Sequence, residues 1–212
     1  DGNIAVAAEG VEDAAQQIDF RLLDDAGDEV AALHQRSGAV HDGQLHHARG
    51  RMLLQQKCYV EGAQVLGFHA AVLIDRAQDP DEAVRRDSGL LLEILTPIIK
   101  AWGSDYSLKA NELAMQILGG YGYTREYPVE QNYRDNRINP IHGGTNGIQA
   151  LDLLGRKAMM HDGAALKLLL REIGATCTEA AAMATLAPLA QQLSQGMALA
   201  AEAGVRNGQA IE

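Results

Sequence analysis

The 212-residue chain is poor in cysteine, in aromatic residues and in long apolar runs. Its two cysteines, Cys58 and Cys177, are too far apart for a metal-ligand motif or a disulfide framework. We therefore expect a reduced, cytoplasmic setting and no structural metal ion. No run approaches 18 apolar residues, so the sequence predicts no membrane insertion. The N-terminus lacks the basic and apolar regions of a signal peptide.

Basic residues are also scarce, with 18 Lys and Arg against 28 Asp and Glu, a net charge of -10. An acidic chain repels polyphosphates, so we expect no nucleic-acid partner. Residues 1–50 carry most of the imbalance, with ten acidic residues and three arginines. No single apolar period runs through them. We therefore expect a boundary near residue 50, between an acidic segment (1–50, a linker or a partial helix) and a helical domain (51–212).

The histidine-rich stretch 38–50 invites a metal-site interpretation. Its histidines are His41, His46 and His47, and no thiol lies at ligand spacing from them. A solvated polar loop is the interpretation that we favour.

Apolar residues recur at helical spacing from residue 51 onward, and no strand-like alternation persists. The pattern predicts one helix over about 51–77 and a second from about residue 81 to Leu118. Pro97 is expected to kink or break the second helix, because proline lacks the amide donor. Gly119 and Gly120 supply the left-handed conformation that ends a helix. The predicted fold class is all-α, an antiparallel helical bundle.

Shorter helices are predicted in the last third of the chain. Thr145 suits the N-cap of a helix over about 146–161, which Asp162-Gly163 should end. A helix over 164–173 follows. Thr176 and Glu179 have the spacing of a capping box, which predicts a new helix that runs to about residue 203.

The segment between these helices contains the strongest chemical signals. Residues 141–145 (Ile-His-Gly-Gly-Thr) lead into a helix N-terminus, where free N–H groups suit an anion or a carbonyl oxygen. The Arg134-Asp135-Asn136-Arg137 stretch fits a structural ion pair better than a catalytic one. Glu61, Glu93 and Glu112 lie in apolar helices, where solvated positions are the more common outcome for carboxylates.

Together, residues 114–157 resemble the C-terminal helical domain of the acyl-CoA dehydrogenase family, in its longer bacterial branch. The family pattern is a helix ending Gln-(Ile/Val)-x-Gly-Gly, a Gly-Tyr turn, a short acidic helix, Arg-Asp-x-Arg, and Gly-Thr at the start of the last core helix. This chain has Gln116 to Gly120, Tyr121-Gly122-Tyr123, Glu126 to Glu130, Arg134 to Arg137, and Gly144-Thr145. The motifs place the resemblance over about residues 51–160.

The resemblance implies an FAD-dependent dehydrogenation of an acyl-CoA thioester, in fatty acid metabolism. Gln116, Gly119 and Gly120 would contact FAD held mainly by a neighbouring subunit, so a homodimer or homotetramer is expected. Thr145 and Gly147 would lie along the same cofactor, and Gly144 would lie beside the acyl thioester. The resemblance also implies that this chain is the C-terminal part of a larger protein or a truncated product.

The chain departs from the family at the position of the catalytic base. Many members carry a glutamate immediately before Gly-Thr, where this chain has Gly143, and glycine cannot accept a proton. Two hypotheses remain open. The chain is the C-terminal domain of an acyl-CoA dehydrogenase whose base lies elsewhere, or it is a non-catalytic helical domain for assembly or ligand binding.

Overall fold

Most of the backbone that the structure describes is helical, and none of it forms a strand. This computed structural model describes residues 43–210, with side-chain surroundings for residues 48–202. The elements are α1 (Gly43–Arg76), α2 (Glu82–Leu118), a 3-10 helix (Gly119–Tyr123), α3 (Val129–Asn136), α4 (Asn146–Asp152), a π-helix (Leu153–Lys157), α5 (Met160–Ala181) and α6 (Ala187–Ala210). The predicted all-α class is confirmed. None of the described helices combines the length and hydropathy that a membrane span requires.

The described residues divide into two compact units, and each division falls inside a long helix. The loop unit consists of residues 43–69 and 98–146. The α5–α6 unit consists of residues 70–97 and 147–210. Residues 1–42, which include His41 and most of the predicted acidic segment, lie outside the described residues.

In the loop unit, α1 and α2 pack antiparallel through aromatic rings. The Trp102 ring lies against Gly62, where an added Cβ would come within 3.0 Å of Cη2. One turn along, the Tyr59 and Tyr106 rings are 4.8 Å apart. Small and aliphatic residues fill the remaining core, namely Ala63, Ile99, Ala110, Ala114, Ile117 and Val129. These contacts account for the predicted antiparallel arrangement.

In the α5–α6 unit, α5 packs against α6 across a connection of five residues. The side chains of Leu168 and Cys177 are buried there. The unit also buries the ammonium of Lys157, which lies 3.3 Å from Glu93 Oε2 and 3.6 Å from Asp152 Oδ2. Buried charges are retained when they are paired, and this lysine has two carboxylate partners.

Two boundaries differ from the predictions in the first half of the chain. Residues 43–50 belong to α1, so the predicted loop at 38–50 is wrong over that part. Helix α2 continues through Pro97, so the break that was one of the two expected effects of this proline is absent. The lost amide donor costs about 3 kcal/mol in a helix interior. The buried side chains of Leu95 and Ile99 on either side offset it.

The last third confirms one predicted break and corrects another. The break at Asp162-Gly163 is present, since His161, Asp162 and Gly163 have φ of 53°, 56° and 74°. The predicted capping box is wrong. Thr176 lies inside α5, and its hydroxyl donates to the carbonyl of Glu172 at 3.1 Å.

Substitution Gly122→Ala tests the close approach of the 3-10 helix to α2. A Cβ at residue 122 would lie 2.5 Å from the Met115 carbonyl oxygen, so the backbone must shift. We expect a loss of about 1–3 kcal/mol in the free energy of unfolding, measured by urea titration and circular dichroism. Gly120→Ala is the control, because a Cβ there meets nothing within 4 Å. Equal stability of the two variants would contradict this packing.

Substitution Lys157→Met tests the buried ion cluster. It leaves the Glu93 carboxylate without its cation, and we expect a loss of about 3–5 kcal/mol in the free energy of unfolding. Lys57→Met is the control, because Lys57 pairs with Glu61 on the surface. Exposed pairs contribute little, so that variant should unfold like the wild type. A neutral Lys157→Met would show that the cluster is not stabilising.

Candidate functional site

The first candidate surface is a groove at the C-terminal end of α2. It has a volume of about 460 Å³ and is lined by Glu112, Met115, Gln116, Gly119, Tyr123 and Tyr133. The structure therefore brings the predicted residues Gln116 and Gly119 to one groove. Gly120 follows in the chain and is exposed. We call this surface the turn groove.

Glycine occupies positions 119, 120 and 122 for different physical reasons. Gly119 has φ of 61°, a left-handed conformation that favours glycine at a helix end. Gly122 is buried against the backbone of Met115. Gly120 has a negative φ, and a Cβ there would meet nothing within 4 Å. Neither conformation nor packing within the described residues requires a glycine at position 120. Close approach of a ligand to the backbone would require one.

The second candidate surface is the segment 140–145, which we call the glycine loop. Its ends are joined by a hydrogen bond from the Asn146 amide to the Pro140 carbonyl, at 3.0 Å. Gly143 and Gly144 have φ of 65° and 84°, so both adopt the left-handed conformation. Helix α4 begins directly after Thr145, as the sequence predicted.

A buried lysine of α2 holds the glycine loop. Lys100 Nζ donates to the carbonyls of Asn139 and Gly144, at 3.0 and 2.5 Å, and to Asn146 Oδ1 at 3.3 Å. Burial lowers the pKa of the Lys100 ammonium below its ordinary value, and the Asp105 carboxylate opposes this shift. Three oxygen acceptors match the three donors of an ammonium group.

The side chain of Asn146 is fixed from two directions. Its Oδ1 also accepts from the Ser104 hydroxyl at 3.1 Å. Its Nδ2 donates to Asp105 Oδ1 at 2.7 Å and to the Ala101 carbonyl at 3.4 Å. The first residue of α4 is thereby joined to α2 at four points, counting Lys100.

The same face of α2 continues as a buried polar stripe, which consists of Lys100, Ser104, Ser107 and Asn111. The Ser107 hydroxyl donates to Asn136 Oδ1 at 3.1 Å, and Asn139 Nδ2 donates to the same oxygen at 2.7 Å. Asn111 Nδ2 has no hydrogen-bond partner among the described residues. The predictions missed this stripe. Its signal in the sequence is a polar spacing of four, three and four residues on a helix otherwise rich in apolar side chains.

Four other charged residues that the sequence marked as candidates each contact a polar or charged side chain. Arg134 pairs with Glu130 at 3.4 Å, one helical turn away, so its acidic partner lies outside the Arg134–Arg137 stretch. Glu61 is exposed, as expected, whereas Glu93 is half-buried against Lys157. Glu112 Oε1 accepts a weak hydrogen bond of 3.4 Å from the Tyr133 hydroxyl. Within the residues described, no three His, Cys, Asp or Glu side chains are grouped as metal ligands would be.

The two candidate surfaces lie at separate points along α2. The 16 residues from Lys100 to Gln116 correspond to about 24 Å of helix. A single ligand that contacted both surfaces would have to be extended. The remaining predicted residue, Gly147, belongs to the α5–α6 unit.

Comparison with known proteins assigns this helical arrangement to a family. The acyl-CoA dehydrogenase C-terminal domain matches residues 21–159. That match covers more than half of the chain, and it begins 30 residues before the start that the motifs indicated. The chain belongs to the acyl-CoA dehydrogenase family.

Curated relatives agree with this assignment. The chain is 36% identical over 126 residues to 3-methylmercaptopropionyl-CoA dehydrogenase of Ruegeria pomeroyi, covering 59% of this chain and 21% of that protein. It is 35% identical over 120 residues to a broad-specificity linear acyl-CoA dehydrogenase of Mycobacterium tuberculosis, covering 55% and 19%. The chain thus spans about one fifth of the length of these relatives.

A solved structure is similar to this chain in fold. Butyryl-CoA dehydrogenase of Megasphaera elsdenii superposes with a TM-score of 0.50 and 25% sequence identity. The superposition covers 73% of this chain and 35% of that one.

Proposed function

We propose that this chain supplies the cofactor-facing turn and the thioester-facing loop of an FAD-dependent acyl-CoA dehydrogenase. Gln116, Gly119 and Gly120 contact FAD held mainly by a neighbouring subunit of a homodimer or homotetramer. Thr145 and Gly147 lie along the same cofactor, and Gly144 lies beside the acyl thioester. The free thiols of Cys58 and Cys177 suit a reducing cytoplasm.

The observation that carries the proposal is the open backbone at Gly120 beside the turn groove. The chain itself has no described reason to keep a glycine there, whereas a ligand lying against the backbone would exclude a Cβ. Gln116 adds an amide that both donates and accepts hydrogen bonds. The residues present therefore fit one side of a cofactor that other parts of the assembly enclose.

When bound, FAD supplies the acceptor for the β-hydrogen as hydride. The other requirement of the reaction is a carboxylate that removes the α-proton of the thioester, with a pKa suited to that task. Gly143 stands at the position where the resemblance implies this carboxylate. Its backbone is exposed and left-handed, and it offers no proton acceptor. The alternative, a non-catalytic domain for assembly or ligand binding, rests on this residue.

Flavin retention tests the cofactor part of the proposal. The isolated chain presents one open side of the site, so we expect it to purify without a flavin absorbance band. A chimera should retain FAD if residues 51–159 replace the matching segment of the Ruegeria pomeroyi dehydrogenase.

Two controls accompany the flavin measurement. In the chimera, Gly120→Ala should lower the flavin content after gel filtration without lowering the unfolding temperature. A flavin band in the isolated chain would contradict the view that this chain supplies only one side of the cofactor site. Full flavin content in the Gly120→Ala chimera would overturn the assignment of the turn groove.

Restoring a carboxylate tests the catalytic part. In the flavin-loaded chimera, Gly143→Glu should raise acyl-CoA oxidation by roughly 10²–10⁴-fold, the usual contribution of a general base. The left-handed backbone should cost about 1–3 kcal/mol of stability, because φ of 65° disfavours a side chain.

Gly143→Gln is the matched control, since it has the same size and strain but no base. No gain from glutamate over glutamine would favour the non-catalytic alternative.

A further inference from the structure

The glycine loop is held at both of its ends by one cation. Lys100 reaches 39 residues along the chain to Asn139, which precedes the loop, and 44 and 46 residues to Gly144 and Asn146 at its far end. Each acceptor of the ammonium thus lies at an end of the loop or next to it. The side chain of Lys100 is buried, so these oxygens take the place of water.

A buried charge in this position is costly unless its donors are satisfied. Moving an ammonium out of water is unfavourable, and only good acceptor geometry offsets the lost hydration. An aliphatic side chain of equal length would fill the same space without that cost. We therefore assign the charge the role of holding its acceptors in place. Two of these acceptors are backbone carbonyls, which no side-chain substitution in the loop can remove.

The loop has the conformation that most needs such support. Gly143 and Gly144 are left-handed and exposed, and glycine loses more conformational freedom on folding than any other residue. The Gly144 carbonyl accepts a hydrogen bond from Lys100 Nζ, the shortest of the three contacts of this ammonium. Without this bond, the two glycines would populate several backbone conformations.

We propose that Lys100 is a positioning residue, whose ammonium clamps the ends of the glycine loop and so fixes the backbone of residues 143 and 144 for the acyl thioester. This inference rests on the proposed function for its substrate. The clamp itself rests only on contacts within the loop unit. Ser104 and Asp105 support it by orienting the Asn146 amide.

Hydrogen exchange of the whole chain tests the clamp. In Lys100→Met, which keeps the aliphatic length and removes the charge, amide exchange in peptides covering residues 140–146 should accelerate at least about tenfold. Exchange at residues 110–118 of α2 should change less than twofold. Lys109→Met is the matched control, because the Lys109 ammonium on the same helix lies 4.4 Å from the Tyr106 ring centroid. It should leave exchange in the loop unchanged.

Conservative variants separate positioning from general stability. Lys100→Arg keeps the charge and should restore at least half of the lost protection. Asn146→Ala removes one acceptor and should accelerate loop exchange by a smaller factor, which provides a second measurement if Lys100→Met does not fold. Uniform acceleration over the chain, or loop exchange equal to that of wild type, would overturn the clamp.

The flavin-loaded chimera with Gly143→Glu tests the catalytic consequence. In this chimera, Lys100→Met should lower kcat at least tenfold while KM changes less than threefold. The substrate would still bind, but the backbone of the glycine loop would no longer be held in the reactive position. Unchanged kcat together with a mobile loop would overturn the role in positioning the substrate. A chimera without flavin or activity before this substitution would instead contradict the proposed function, and the exchange result would stand.

Discussion

The burial of the Lys100 charge is the constraint on which the loop unit depends. An ammonium without water must find oxygen acceptors, and α2 has already committed its own carbonyls to helical hydrogen bonds. The acceptors come from residues 139–146, so this segment must return to α2 and lie along it. Ser104 and Ser107 extend the same requirement along the helix, and Asn136 and Asn146 meet it. The polar side chains of α2 thus determine the path of the non-helical segment that packs against it.

The helices and their breaks were largely predictable because local rules govern them. The end of α2 at Gly119 and the break at Asp162-Gly163 follow from residues that tolerate a left-handed backbone. The errors arose where tertiary packing outweighed a local signal. Thr176 has the sequence of a capping box, but the buried Leu168 and Cys177 on either side keep α5 continuous. Pro97 likewise lies between buried neighbours.

The motifs of the candidate site could be predicted from the sequence, but the buried lysine that holds the glycine loop could not. Gln116 and Gly119 were identified by resemblance, and the structure brings them to one groove. Lys100 was not identified, because lysine on a helix is solvated in most proteins and its partners lie 39 to 46 residues away. A local sequence pattern cannot indicate contacts between residues that are so far apart in the chain. A polar residue recurring on one helical face was the available signal, and its meaning required the fold.

The left-handed residues before α5 have a consequence for how this chain can change. Left-handed conformations cost roughly 1–2 kcal/mol for residues with a Cβ, and His161 and Asp162 both adopt one. The Asp162 carbonyl accepts from Lys167 at 2.7 Å, which ties the strained turn to the following helix. Glycine at either position would release this energy without altering the core or either candidate surface. A glycine substitution in this turn could therefore compensate for a destabilising substitution elsewhere in the chain.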